Sequence, residues 1–138
     1  MKKYLILFAL ILIQGCSSGS DDAPPAPAVT APTSIAGETI GMTITSGAGF
    51  FATTGSYTVS FSANQNIYTV TGDGINVADS AGTYTYSANN NIGVVSIVDS
   101  VVGAGAFTLT FTSTTSGTFT ATVVSDPASS QAGTFTRL

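Results

Sequence analysis

The chain has 138 residues, enough for one domain, and only 7% of them are charged, against about 25% in an average soluble domain. It contains no histidine and no tryptophan, and its single cysteine is Cys16. These counts exclude a disulfide within the chain and a Cys/His metal site. They also exclude the Ser-His-Asp and Cys-His catalytic arrangements, because both need a histidine as general base.

The first 15 residues have the pattern of a secretory signal peptide. Lys2 and Lys3 precede an apolar run over residues 4–13, and the small residue Gly15 follows. The run is too short for a transmembrane helix, which needs about 20 apolar residues. The pattern therefore predicts an exported protein from which residues 1–15 are removed.

The stretch Ile13-Gln14-Gly15-Cys16 resembles the lipobox of bacterial lipoproteins. The resemblance implies cleavage before Cys16 and a diacylglycerol on its sulfur, with an N-linked acyl chain such as palmitate in many bacteria. Stable anchoring requires more than one acyl chain, and this modification supplies them. Ser17 resembles the outer-membrane sorting pattern, so we expect an anchor in the bacterial outer membrane, facing the periplasm or the cell surface. The alternative is an ordinary secreted protein in which Cys16 is a free thiol.

Residues 16–35 read as the lipidated cysteine and a tether. This stretch is rich in serine and proline, and such linkers favour an extended, solvated conformation. Cleavage would leave Arg137 as one cation against seven carboxylates, a net charge of −6. Nucleic-acid binding needs a basic surface, so we expect no nucleic-acid partner and a membrane contact made through lipid alone.

Residues 36–138 repeat a short phrase of glycine, a small residue, an aromatic residue and threonine. Five copies begin at Gly55, Gly82, Gly105, Gly117 and Gly133, and we interpret each glycine as the turn before a strand. Apolar and threonine side chains then alternate, which indicates antiparallel strands with one buried face. The predicted strands are 38–45, 55–63, 66–72, 81–88, 92–98, 105–113, 117–124 and 132–137.

The lengths of the connections favour one architecture. Tight turns at Asn64-Gln65, Asn89-Asn90-Asn91 and Thr114-Thr115-Ser116 alternate with longer loops at 46–54, 72–80, 99–104 and 125–131. The fold class is therefore all-β, a single eight-stranded antiparallel up-and-down meander closed into a barrel. The alternative is a two-sheet β-sandwich. Closure would place the first strand beside the last and allow Glu38 to pair with Arg137.

The meander with one closed and one open end resembles calycin-type barrels, such as lipocalins and fatty-acid-binding proteins, and streptavidin-like barrels. The likeness covers residues 36–138 and is one of architecture only. The tryptophan motif of the lipocalin first strand is absent, and no avidin-type ligand residues can be matched. The resemblance therefore implies no functional residue here.

The longer loops carry the candidate site residues. We expect a ligand rim at one end of the barrel, formed by Phe50, Phe51, Asp73, Asn76, Asp79, Asp99 and Asp126. Asp73, Asn76 and Asp79 are spaced by three residues and are a calcium candidate, since calcium prefers oxygen ligands. The alternative is that these aspartates only form turns. The aromatic pair either covers an apolar ligand or plugs the barrel.

Three functions follow from this arrangement. The first is a binding module that takes a small apolar ligand or an envelope partner at the rim. The second is a structural or surface-display protein with a filled barrel and no catalysis. The third is a small hydrolase that uses two rim carboxylates, one with a raised pKa. We expect the first, with no catalytic residue, no metal and no cofactor apart from the lipid on Cys16.

Overall fold

The computed structural model describes residues 28–49 and 51–138. The predicted signal peptide, the lipidation site Cys16, most of the tether and Phe50 lie outside these residues. Within them, no helix is long and apolar enough to cross a membrane.

Eight antiparallel strands form a closed barrel in which every strand pairs with its sequence neighbours and β1 pairs with β8. The prediction of a closed up-and-down barrel is confirmed, and the sandwich alternative is wrong. The strands are β1 (Thr39–Ala48), β2 (Gly55–Phe61), β3 (Ile67–Thr71), β4 (Ser80–Asn89), β5 (Ile92–Asp99), β6 (Gly103–Phe111), β7 (Ser116–Val123) and β8 (Ser130–Arg137).

The connections divide the barrel into two ends. The closed end holds the links 62–66, 90–91 and 112–115, and the open end holds the links 49–54, 72–79, 100–102 and 124–129. Asn90 has a φ of 52°, the left-handed conformation that asparagine tolerates in tight turns. The link 100–102 has only three residues, so the prediction of a long loop there is wrong. The Asp99 carboxylate tightens it by accepting the N–H groups of Val101 and Val102.

The core lies inside the barrel and is densest towards the closed end. Phe61, Leu109, Phe111 and Phe119 are buried there, as the alternation predicts. The rings of Phe111 and Phe135 meet edge to face with centroids 4.9 Å apart, a favoured aromatic geometry. Phe107 has the same inward phase on β6 as Leu109 and Phe111, but it is only half-buried. Its ring faces the cavity at the open end, where the packed core stops.

Gly55 is the first residue of β2, directly after a loop. The other four glycines of the repeated phrase lie inside strands, so the interpretation of these four as turns is wrong. Gly117 on β7 pairs with Phe135 on β8, and Gly133 on β8 pairs with Phe119 on β7. A Cβ atom on either glycine would lie 2.8 Å from the ring of the opposite phenylalanine, and closer still to a backbone carbonyl. These two glycines therefore leave room inside a narrow barrel for the phenylalanine of the neighbouring strand.

The segment 29–35, which we call the N-terminal strap, packs against the closed end. Ile35 is 1% exposed and Ala31 is also buried. The Ala31 N–H donates to the Asn90 carbonyl at 2.7 Å, and the Tyr86 hydroxyl donates to the Pro32 carbonyl at 2.9 Å. The sequence assigned these residues to a solvated tether ending at 35. The structure corrects that assignment, because the last part of the tether is joined to the barrel core.

Candidate functional site

The open end contains a cavity of about 210 Å³. It reaches the surface beside the exposed residues Asn76, Ala78 and Val101. A second gap, of about 10 Å³, lies among core residues such as Phe61 and Leu109. It is far smaller than the cavity at the open end, so the side chains around it are closely packed. The apolar part of the wall of the open-end cavity comprises Phe51, Val70, Val77, Ile97, Val102 and Phe107.

Asp99 is the charged group of the cavity wall, and it is only 8% exposed. The residues Gly93, Val95, Ile97 and Asp99 share the inward face of β5, so strand alternation turns this carboxylate inward. Its Oδ2 accepts the Tyr68 hydroxyl at 2.6 Å and the Ser80 hydroxyl at 2.8 Å. Its Oδ1 accepts the N–H groups of Val101 and Val102.

These contacts fix the ionisation state of Asp99 and Tyr68. Burial alone would raise the pKa of Asp99, but the hydrogen bonds from Tyr68, Val101, Ser80 and Val102 outweigh it and lower the pKa below its usual value. Burial, together with the bond to Asp99, raises the pKa of the Tyr68 hydroxyl. Asp99 is therefore a charged carboxylate and Tyr68 a neutral phenol at neutral pH. Asp99 lacks the raised pKa that the hydrolase alternative requires.

A second polar pair in the cavity wall joins Tyr57 on β2 to Gln131 on β8. The Tyr57 hydroxyl donates to Gln131 Oε1 at 2.9 Å, and Gln131 Nε2 donates to the Ala52 carbonyl at 3.3 Å. Burial raises the pKa of Tyr57, which keeps its hydroxyl protonated as a donor. Gln131 is buried, so its amide fixes the position of the β1–β2 loop over the cavity.

The loop between β3 and β4 is organised by its own aspartates. Asp73 Oδ1 accepts the N–H groups of Ile75, Asn76 and Val77, and its Oδ2 accepts from Asn76 Nδ2 at 3.0 Å. These backbone bonds hold the pKa of Asp73 well below its usual range. Asp79 Oδ1 accepts the Gly72 N–H at 2.8 Å and closes the loop.

This geometry describes turn-forming aspartates. A calcium ion here would have to share its ligands with N–H groups, because both carboxylate oxygens of Asp73 and Oδ1 of Asp79 already accept them. Among the described residues, no group of three or more His, Cys, Asp or Glu side chains could hold a metal ion. Of the three candidate residues, Asn76 lines the cavity.

The remaining rim residues also lie at the open end. Asp126 accepts the Ser129 hydroxyl at 2.5 Å and the Ala128 N–H at 3.3 Å, which shapes the β7–β8 loop. Phe51 lines the cavity, whereas Phe50 lies outside the described residues. The structure thus gathers Asp73, Asp99 and Asp126 at one end, with Asp99 drawn inside and the others in the loops.

Three polar residues of the cavity wall, Tyr57, Tyr68 and Gln131, are not among the site residues predicted from the sequence. The signal for Gln131 was present, since it shares the inward phase of Gly133 and Phe135 on β8. The hydroxyl partners of the tyrosines depend on the register of several strands, which the alternation of a single strand does not give.

Comparison of the chain with protein-family models, with curated proteins and with solved structures found no match. The fold and the site therefore define the protein as a closed eight-stranded barrel with a small cavity at its open end.

Proposed function

We propose that this chain is an exported, lipid-anchored barrel that binds a small ligand in the cavity at its open end. The single observation that carries the proposal is the cavity of about 210 Å³ above a packed core. Small-molecule sites are concave and mostly apolar, with a few polar groups at fixed positions. The cavity wall fits this description, because it is mostly apolar and holds a few polar side chains such as Asp99 and Gln131.

The position of the strap supports one orientation of the barrel relative to the anchoring membrane. The strap packs at the closed end, beside the Asn90 turn, so the chain enters the barrel at the end opposite the cavity. A lipid on Cys16 would then leave the cavity facing away from the anchoring membrane. Ligand access from the aqueous side follows from that geometry.

The cavity can be tested with benzyl alcohol as a neutral aromatic probe, because an apolar cavity of about 150 Å³ is enough to hold benzene. We expect chemical-shift changes at Val70, Ile97 and Phe107 that saturate with probe concentration. Ala78→Trp places a large side chain at the mouth and should weaken binding about tenfold or more, and Val70→Phe narrows the cavity from its wall.

The matched control is Ala88→Trp, which changes another exposed alanine at the closed end and should leave binding unchanged. Absence of saturable shifts in the wild-type protein, with benzyl alcohol and with charged probes of the same size, would overturn the binding function. Equal weakening by Ala78→Trp and Ala88→Trp would place the probe elsewhere.

The anchor needs its own test, in cells. Cys16→Ser should abolish incorporation of a radiolabelled or clickable fatty acid and move the protein out of the membrane fraction. Unchanged labelling in Cys16→Ser, with a mature chain that starts elsewhere, would refute the lipid anchor and leave the cavity test unaffected.

A further inference from the structure

The cavity wall has an unusual balance of hydrogen-bonding groups. The Tyr57 hydroxyl donates its one O–H hydrogen bond to Gln131 Oε1, and the Tyr68 hydroxyl donates its own to Asp99 Oδ2. A phenol whose O–H is already used as a donor can offer a ligand only the lone pairs of its oxygen. The Ser80 O–H is likewise donated to Asp99 Oδ2. The hydroxyl oxygens of the wall are therefore acceptors.

The charged groups at the open end also favour a hydrogen-bond donor, because they are carboxylates. The Asp99 carboxylate lies in the wall, and Asp73, Asp79 and Asp126 lie in or beside the surrounding loops. Arg137 is the single lysine or arginine of residues 28–138, and it is paired with Glu38 at the closed end. The amides of Gln131 and Asn76 each keep a second N–H, but both are neutral. A ligand carboxylate in this cavity would meet a like charge and no compensating cation.

The size of the cavity limits the rest of the ligand. Its volume of about 210 Å³ lies below the ~300–1,000 Å³ of sites for drug-sized molecules, and above the ~150 Å³ that holds benzene. One ring or a short branched chain with a small head group therefore fits. Phe51, Phe107 and the two tyrosines also line the cavity, and aromatic rings attract a cationic head group.

From these observations we infer that the ligand is a compact apolar amine, a molecule of about one-ring size whose head donates hydrogen bonds and carries positive or no charge. Apolar carboxylic acids, short fatty acids among them, are rejected. The inference rests on the proposed function, since it names the ligand class of that same cavity.

Three probes that share a benzyl group and differ in the head group test this selectivity. Benzylamine is a cation at pH 7, benzyl alcohol is neutral and phenylacetate is an anion. We expect benzylamine to bind at least as tightly as benzyl alcohol in calorimetry or shift titrations. Phenylacetate should bind about tenfold more weakly or worse. Asp99→Asn, once circular dichroism shows it folded, should reduce the ratio between benzylamine and phenylacetate.

The outcomes separate the inference from the function on which it rests. If none of the three probes binds, the binding function itself is overturned. Suppose that benzyl alcohol binds and that Ala78→Trp weakens its binding, but that phenylacetate binds as tightly as benzylamine. The cavity is then a binding site, and the assignment of an amine ligand is wrong. A selectivity that Asp99→Asn leaves unchanged would also overturn it, and Ala88→Trp serves as the control in each titration.

Discussion

Glu38 and Arg137 are 99 residues apart in sequence, and their side chains form an ion pair in which Arg137 Nη2 lies 2.7 Å from Glu38 Oε1. Arg137 Nε adds a second bond to Glu38 Oε2 at 3.2 Å, so the contact is bidentate. The pair joins the start of β1 to the end of β8, where the barrel closes. The pairing anticipated from the sequence is confirmed.

We expect this pair to contribute about 0.5–1 kcal/mol, because both side chains are about one-quarter exposed and solvent screens them. A double-mutant cycle of Glu38→Gln and Arg137→Gln, measured by urea unfolding, gives this coupling energy. The coupling should fall in 1 M salt. A coupling near zero at low salt would show that backbone pairing of β1 and β8 alone closes the barrel.

The same pair predicts a pH dependence. The hydrogen bond from Arg137 lowers the pKa of Glu38, which outweighs the opposing effect of burial. Stabilisation is therefore fully present above the unfolded pKa of about 4.3 and is lost as the pH falls through the lower folded value. The stability difference between wild type and Glu38→Gln should shrink below about pH 4. A difference that grew on acidification would contradict the assignment.

The reciprocal pairs of glycine and phenylalanine on β7 and β8 give the next prediction. Gly117→Ala and Gly133→Ala should each destabilise the protein by about 1–3 kcal/mol, because the new methyl group meets a phenylalanine ring and a fixed backbone carbonyl. Thr118→Ala, on the exposed face of the same strand, should cost less than about 0.5 kcal/mol in thermal or urea unfolding. Equal costs at the three positions would show that the ring has room to move.

These glycines show which features of the fold can be predicted from the sequence and which cannot. Alternation is a local signal, so it predicts the eight strands within three residues and the inward phase of Phe111 and Phe119. What a glycine at position 117 does depends on the residue across the ladder, Phe135, and hence on register. The cavity depends on the summed volumes of side chains from several strands. Neither can be read from one strand at a time.

The facing of β6 can be tested directly. Phe111 is buried against Phe135, so Phe111→Ala should cost about 3–5 kcal/mol by loss of burial and creation of a cavity. Thr110 points to the other face, and Thr110→Ala should change stability by less than about 0.5 kcal/mol. Chemical denaturation of both variants measures the difference. A costlier change at Thr110 would invert the facing.

Asp99 has two kinds of hydrogen-bond partner, and they predict different costs for two substitutions. Asp99→Ala leaves four donors without their acceptor and should cost about 2–4 kcal/mol at pH 7. Asp99→Asn should cost less, because the hydroxyls of Tyr68 and Ser80 can rotate to accept from the amide while Oδ1 still accepts the backbone N–H groups. Urea unfolding of the two variants tests this order, and equal costs would show that the charge itself is what matters.

The carboxylate of Asp99 also predicts a loss of stability in acid. Its folded pKa is lowered, so its contribution is complete above the unfolded pKa of about 3.9 and disappears as the pH falls through the folded value. The stability curves of wild type and Asp99→Asn should therefore converge in that acidic range. Curves that stay parallel would mean that the pKa of Asp99 is the same in the folded and unfolded states.

The N-terminal strap gives the last prediction, and it separates a packed segment from a solvated tether. Ile35 is buried against the closed end, so Ile35→Ala should cost about 2–4 kcal/mol. Tyr86→Phe removes the bond to the Pro32 carbonyl and should cost about 0.5–1.5 kcal/mol. Thr30→Ala, an exposed position in the same segment, is the matched control and should have almost no effect. Hydrogen exchange should show the Ala31 N–H protected in wild type and exposed to exchange in Ile35→Ala. If Ile35→Ala is as mild as Thr30→Ala, the strap is not part of the folded unit, and the orientation of the cavity away from the anchor loses its support.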